Sequence, residues 1–164
     1  MKNENKNKKL CDFLKINIEG MNREDFINIF SAIRGPDFHD NDILKATLTK
    51  RLRCLLFGFN IFYTNYLEIN KKRINEIIQF IEKNSKNEYS LYHYLTHLHD
   101  AFKALQKYVN EDDKMICEFF IQFISLLLDY LTYYNYNDKK SCKTIKREII
   151  ELYERYRKIV SQRN

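Results

Sequence analysis

The sequence predicts an all-α protein, and three observations carry that expectation. Glycine occurs 3 times and proline once in 164 residues. Sheets need many turns, and turns draw on those two residues, so their scarcity favours long helices joined by short polar links. Apolar residues also recur at three- and four-residue spacing along most of the chain, the period of a helix with one buried face. Finally, a 45% apolar composition gives a chain of this length the core of one domain, with 12 Phe and 12 Tyr supplying bulk in the absence of Trp. The expected architecture is a single compact bundle of five to seven helices.

Met1 to Lys9 is polar and basic, reads as a disordered tail, and lacks the apolar stretch of a signal peptide. Residues 10–164 read as one helical domain. Leu10 to Glu19 fits either a short helix or an extended lead-in. Asn22 is a helix cap, followed by Glu24 and Asp25 in a favourable first turn and by Phe26, Ile29, Phe30 and Ile33 at helical spacing. Gly35 and Pro36 end that helix after Arg34. A polar link leads to a long helix from about Asp42, with Leu44, Leu48, Leu52, Leu55, Leu56 and Phe59 inward. Its pattern continues through Phe62, Tyr63, Tyr66 and Leu67. The next helix covers about Lys71 to Lys83, with Ile74, Ile77, Ile78 and Ile81 inward. Another starts near Ser90, as its cap, and buries Leu91, Leu95, Leu98, Phe102 and Leu105.

The helix from Asp112 to about Tyr134 is apolar on most sides. Glu118, Gln122, Ser125 and Asp129 fall on one narrow line, as in a central helix with a thin wet edge. Those polar residues interrupt Met115 to Leu131 too often for a membrane span. The last helix, about Asp138 to Ser161, buries Ile145, Ile149, Leu152, Tyr156 and Val160 and turns a mostly basic face outward.

The net charge of +6 permits a polyanionic partner, although 22 acidic residues dilute the basic excess. Cys11, Cys54, Cys117 and Cys142 form no CxxC pair and have no zinc-finger partner, so a reduced, cytoplasmic protein is expected. Phosphate-binding loops, dinucleotide fingerprints and nucleophile elbows are absent from the sequence, and no cofactor is expected.

Arg51 stands at or beside the apolar stripe of its helix. A buried guanidinium must be paired, because a lone buried charge is costly. Asp37, on a turn stiffened by Pro36, is the nearest acidic candidate, and Arg34, Thr49 and Arg53 complete the constellation. Two readings stay open. The cluster is a structural staple between loop and helix, or a ligand site gripping phosphate or carboxylate bidentately.

The run Ala32-Ile33-Arg34-Gly35-Pro36-Asp37, followed by Leu44, Lys45, Thr49, Arg51, Leu52, Arg53 and Gly58, resembles small uncharacterised phage and prophage proteins. These carry an A-[LI]-R-G-P-D turn followed by a T-x-R-[IL]-R helix. Tyr92 to Leu105, with His93 and His97, resembles a helix of the same proteins. The resemblance covers about Phe26 to Leu105 and leaves the last 60 or so residues without a counterpart. It carries no activity. It implies a phage context, and through it counter-defence.

His93, His97 and Asp100 share a face opposite the leucine stripe, a pattern able to hold a divalent metal and equally able to be a polar face. His99-Asp100-Ala101-Phe102-Lys103 resembles the HDxxK core of HD-type phosphohydrolases, with Phe102 in place of the usual Gly. Arg34 and His39 have the R-x4-H spacing of HEPN ribonucleases, interrupted by Gly35 and Pro36. Lys146, Arg147, Arg155, Arg157 and Lys158 on the last helix suit RNA or an acidic protein surface, but Glu148, Glu151 and Glu154 interleave with them. Tyr130, Tyr133, Tyr134 and Tyr136 cluster near a helix end, where tyrosines either pack in a core or interface or stack bases.

No nucleophile and base stand together in the sequence, so binding is expected over catalysis. The leading expectation is a counter-defence, anti-CRISPR-like protein that blocks a host immune effector or its RNA complex in the host cytoplasm. Capture of an anionic nucleotide messenger by Arg34, Arg51 and Arg53 is the alternative, followed by a metal-dependent phosphohydrolase.

Overall fold

The structure, a computed structural model, describes residues 20–34 and 67–163. Five helices make up most of these residues: α1 (Arg23–Arg34), α2 (Leu67–Lys83), α3 (Glu88–Leu105), α4 (Glu111–Asn135) and α5 (Lys139–Arg163). Short 3-10 turns at Ser85–Asn87 and Gln106–Tyr108 lie between α2 and α3 and between α3 and α4. The fold is the all-α bundle that the composition and periodicity predict. The basic tail expected over Met1 to Lys9 and the long helix expected from Asp42 lie outside the described residues.

The core is organised by α4. α3 and α5 flank it, α1 packs on α3, and α2 touches α4 more lightly. Phe119, Phe123, Ile124, Leu127 and Leu131 of α4 are wholly buried. Phe102 of α3 stacks on Phe120 at 4.9 Å, and Tyr156 of α5 meets Phe119 edge-on at 5.6 Å. Such aromatic pairs contribute about 0.5–1.5 kcal/mol each beyond the area they bury. Ile74, Ile77, Ile78 and Ile81 close the core from α2, and Leu91, Leu95, Leu98 and Leu105 from α3.

α4 is long and apolar enough, by length and composition, to cross a bilayer over Lys114–Asn135. Half of its apolar window is buried inside the bundle. Glu118, Ser125 and Asp129 are exposed along one line with half-buried Gln122, which is the wet edge of a core helix.

Hydrogen bonds at the helix starts explain where the helices begin. Asn22 Oδ1 accepts the Asp25 amide at 2.8 Å, which caps α1 as its sequence predicts. The Asp25 carboxylate is itself held by the Tyr108 hydroxyl at 2.5 Å and by Asn22 Nδ2 at 3.1 Å. The start of α1 is thereby stapled to the turn between α3 and α4.

Three expectations require correction. Phe26 is exposed, not inward. Among the described side chains of α1, Ile29 is buried and Asp25 half-buried, and Phe26 sits about 60° around the helix from Ile29. α2 begins at Leu67, ahead of the start expected near Lys71. Ser90 lies inside the first turn of α3, because the 3-10 turn at Ser85–Asn87 delivers the chain into a helix already begun at Glu88.

Candidate functional site

The best-built exposed feature is the corner between α4 and α5. Asn137 has a φ of 58°, the left-handed conformation that a short amide side chain tolerates. That residue allows the Asp138 amide to reach the Tyr133 carbonyl at 3.0 Å and the Asn137 amide to reach the Tyr134 carbonyl at 3.1 Å. Together these two bonds form the motif that satisfies the orphan carbonyls at a helix end. Asp138 then starts α5 at once. Its Oδ1 accepts the Ser141 amide at 3.0 Å and its Oδ2 accepts the Ser141 hydroxyl at 2.7 Å. These bonds hold the Asp138 carboxyl below the usual carboxylate range.

The corner is braced from beneath. The buried Tyr130 hydroxyl donates to Glu82 near the end of α2. Burial, reinforced by the Glu82 charge, pushes the Tyr130 phenol well up from its ordinary value. Cys142, in the first turns of α5, lies at the same junction. Burial raises its thiol pKa, and the Asp138 and Glu82 charges add to the effect. Tyr134 lies roughly parallel to Tyr130, with ring centroids 6.2 Å apart. At the other end of α2, Lys71 pairs with Glu154 at 3.1 Å, so α2 runs antiparallel to α5.

Above this base, Tyr133 and Tyr134 are more than a third exposed and Tyr136 is 79% exposed. The first nine residues of α5 hold Lys139, Lys140, Lys143, Lys146 and Arg147, all exposed, and no carboxylate before Glu148. The tyrosine cluster was legible from sequence. The lysines at the start of α5 were not singled out, although their signal, KK-x2-K following a Tyr-rich helix end, stands in the sequence.

The structure also places the histidine helix. Leu91, Leu95, Leu98 and Phe102 are buried, while His93 and Asp100 are exposed and His97 is half-buried on the other side. Among the described residues, no three of His, Cys, Asp and Glu are grouped as a metal site. His99 Nδ1 and Asp100 Oδ1, the HD pair, lie 3.2 Å apart. On the last helix Lys146, Arg147, Arg155 and Lys158 are exposed, and Arg157 is half-buried. Arg34 closes α1. The Arg34 side chain, Asp37, His39, Thr49, Arg51 and Arg53 lie outside the described residues, so the arginine constellation keeps both of its readings. Cys117 of α4 and Cys142 of α5 are buried.

Comparison with protein-family models, with curated proteins and with solved structures gave no match.

Proposed function

We propose that this chain is a phage-encoded counter-defence protein that binds and blocks a host immune effector, either a nuclease or its RNA complex. The observation that carries this reading is the outward face of α5. Lys140, Arg147 and Lys158 stand exposed on one line of a 25-residue helix, flanked by Lys143 and Arg155 and interleaved with Glu148, Glu151 and Glu154. A rigid helix with such a face suits a binding surface. Its cations speed encounter with an anionic partner, and its fixed carboxylates restrict which partners fit. The phage context comes only from the resemblance carried by the sequence motifs at Ala32–Asp37 and Thr49–Arg53. Blockade needs a stable scaffold and a specific surface, and no preformed pocket.

Affinity capture of the tagged chain from phage-infected host cells tests the reading. The expected result is recovery of an immune nuclease or its guide-RNA complex. Substituting Glu at Lys140, Arg147 and Lys158 together should abolish that recovery. If no effector is recovered and native mass spectrometry shows a bound small anion, the blockade reading is overturned. Loss of that anion in Arg53→Ala would then assign it to the arginine constellation.

A further inference from the structure

We infer that the corner between α4 and α5 binds single-stranded nucleic acid. In this arrangement Tyr133 and Tyr136 offer ring faces to bases, while Lys139, Lys140 and Lys143 hold the phosphates. The inference concerns what the purified chain binds, and does not rest on the counter-defence reading.

Three observations lead to it. First, the aromatic rings are outside the core. Tyr136 is the most exposed large apolar side chain among the described residues, and Tyr133 stands beside it at the end of the same helix. Both sit on a backbone locked by the Asn137 turn and braced by the Tyr130–Glu82 contact, so little order need be gained on binding. Second, cations crowd the corner. Lys139, Lys140 and Lys143 stand exposed in the first turns of α5, and the neighbouring Asp138 carboxylate is engaged by Ser141 as the helix cap. Third, the two sets are held together. The Asp138 amide bonds the Tyr133 carbonyl at 3.0 Å, so the tyrosines and lysines flank one tight turn. From Lys139 to Arg147 the basic stretch runs about 12 Å along the helix.

The combination selects the ligand. Charge alone would accept any polyanion. Exposed rings next to charge favour a chain that offers both phosphates and uncovered flat bases, which a single strand does and a duplex does not. An acidic peptide would satisfy the lysines and leave the tyrosines without a role.

The test is fluorescence anisotropy of the purified full chain with a labelled oligouridine, an oligothymidine of equal length, the matching duplex and polyglutamate. Both single strands should bind more tightly than the duplex or polyglutamate. Tyr133→Ala combined with Tyr136→Ala should weaken single-strand binding by about tenfold or more, within the range of base stacking on an exposed ring. Circular dichroism should show that the helices are intact. Lys139→Gln and Lys140→Gln should each flatten the dependence of log affinity on log salt by about 0.7. Tighter binding of either single strand, or equal binding of both, supports the inference, because phosphate and base face are common to the two. Absence of single-strand binding, binding that ignores the tyrosine substitutions, or tighter binding of polyglutamate would overturn the inference.

Discussion

The Tyr130 hydroxyl donates a hydrogen bond to the Glu82 carboxylate, joining the last turns of α4 to the end of α2. Cys142 of α5 lies in the same junction. Three helices separated in sequence thus meet around one phenol and one carboxylate. This junction fixes the corner that exposes Tyr133, Tyr136 and the lysines of α5.

Replacing Tyr130 with Phe keeps the ring and removes the bond. A hydrogen bond to a charged group contributes roughly 1.5–3 kcal/mol, and Glu82 is only half-buried, so a loss at the lower end of that range is expected in chemical denaturation. The phenol pKa is raised in the folded protein, so folding favours its neutral form. Its contribution is therefore complete below the ordinary value of 10.0 and is lost as the pH rises above it. Wild type should lose stability on that alkaline limb faster than Tyr130→Phe. Parallel curves for the two proteins would show that the bond is not formed in solution.

Asn137 carries the left-handed turn at a φ of 58°. A β-carbon with no local hydrogen-bonding group costs roughly 1–2 kcal/mol in that conformation. Asn137→Ala should destabilise the protein by about that amount, and Asn137→Gly should match or exceed wild type. Equal melting temperatures for the Ala and Gly variants would mean that the turn is not left-handed.

Phe123 is wholly buried and stacks on Phe119 at 5.6 Å, with ring planes 13° apart. Phe123→Ala should cost about 3–5 kcal/mol, a large part of the stability of a domain this size. Phe123→Leu should lose much less, because it leaves a smaller cavity. If the two variants are equally stable, the site collapses around the deletion and α4 is not the rigid centre of the bundle.

The elements that periodicity reveals are those whose buried face repeats without interruption. Ile74, Ile77, Ile78 and Ile81 were readable as inward from spacing alone, as were Leu91, Leu95 and Leu98, and all are buried. The wet line from Glu118 to Asp129 was equally readable, since four polar residues on one stripe of an apolar helix admit few other placements. Phe26 misled because the apolar residues of a short helix fit two adjacent stripes. The choice between them is made by Tyr108, which draws Asp25 inward from 83 positions away in sequence. The Tyr130–Glu82 contact, 48 positions apart, was hidden for the same reason: spacing along one helix reports which face is buried, not which partner covers it. In the candidate site the tyrosines were visible as a cluster, but the turn that places them beside Lys139 and Lys140 depends on backbone bonds across Asn137.

Those backbone bonds end at Asp138. Its carboxylate caps α5 through the Ser141 amide and hydroxyl. Asp138→Ala removes both contacts and should lower the melting temperature by a few degrees at neutral pH, whereas Asp138→Ser should recover part of the loss, because serine also caps helices. Because the Ser141 bonds hold the native pKa below the ordinary 3.8, the carboxylate contributes stability above that pH and loses it as the pH falls through the lower native value. The gap between wild type and Asp138→Ala should therefore be constant near neutrality and narrow in strong acid. A gap that stays open in acid would assign the effect to packing at the corner, not to the charged cap.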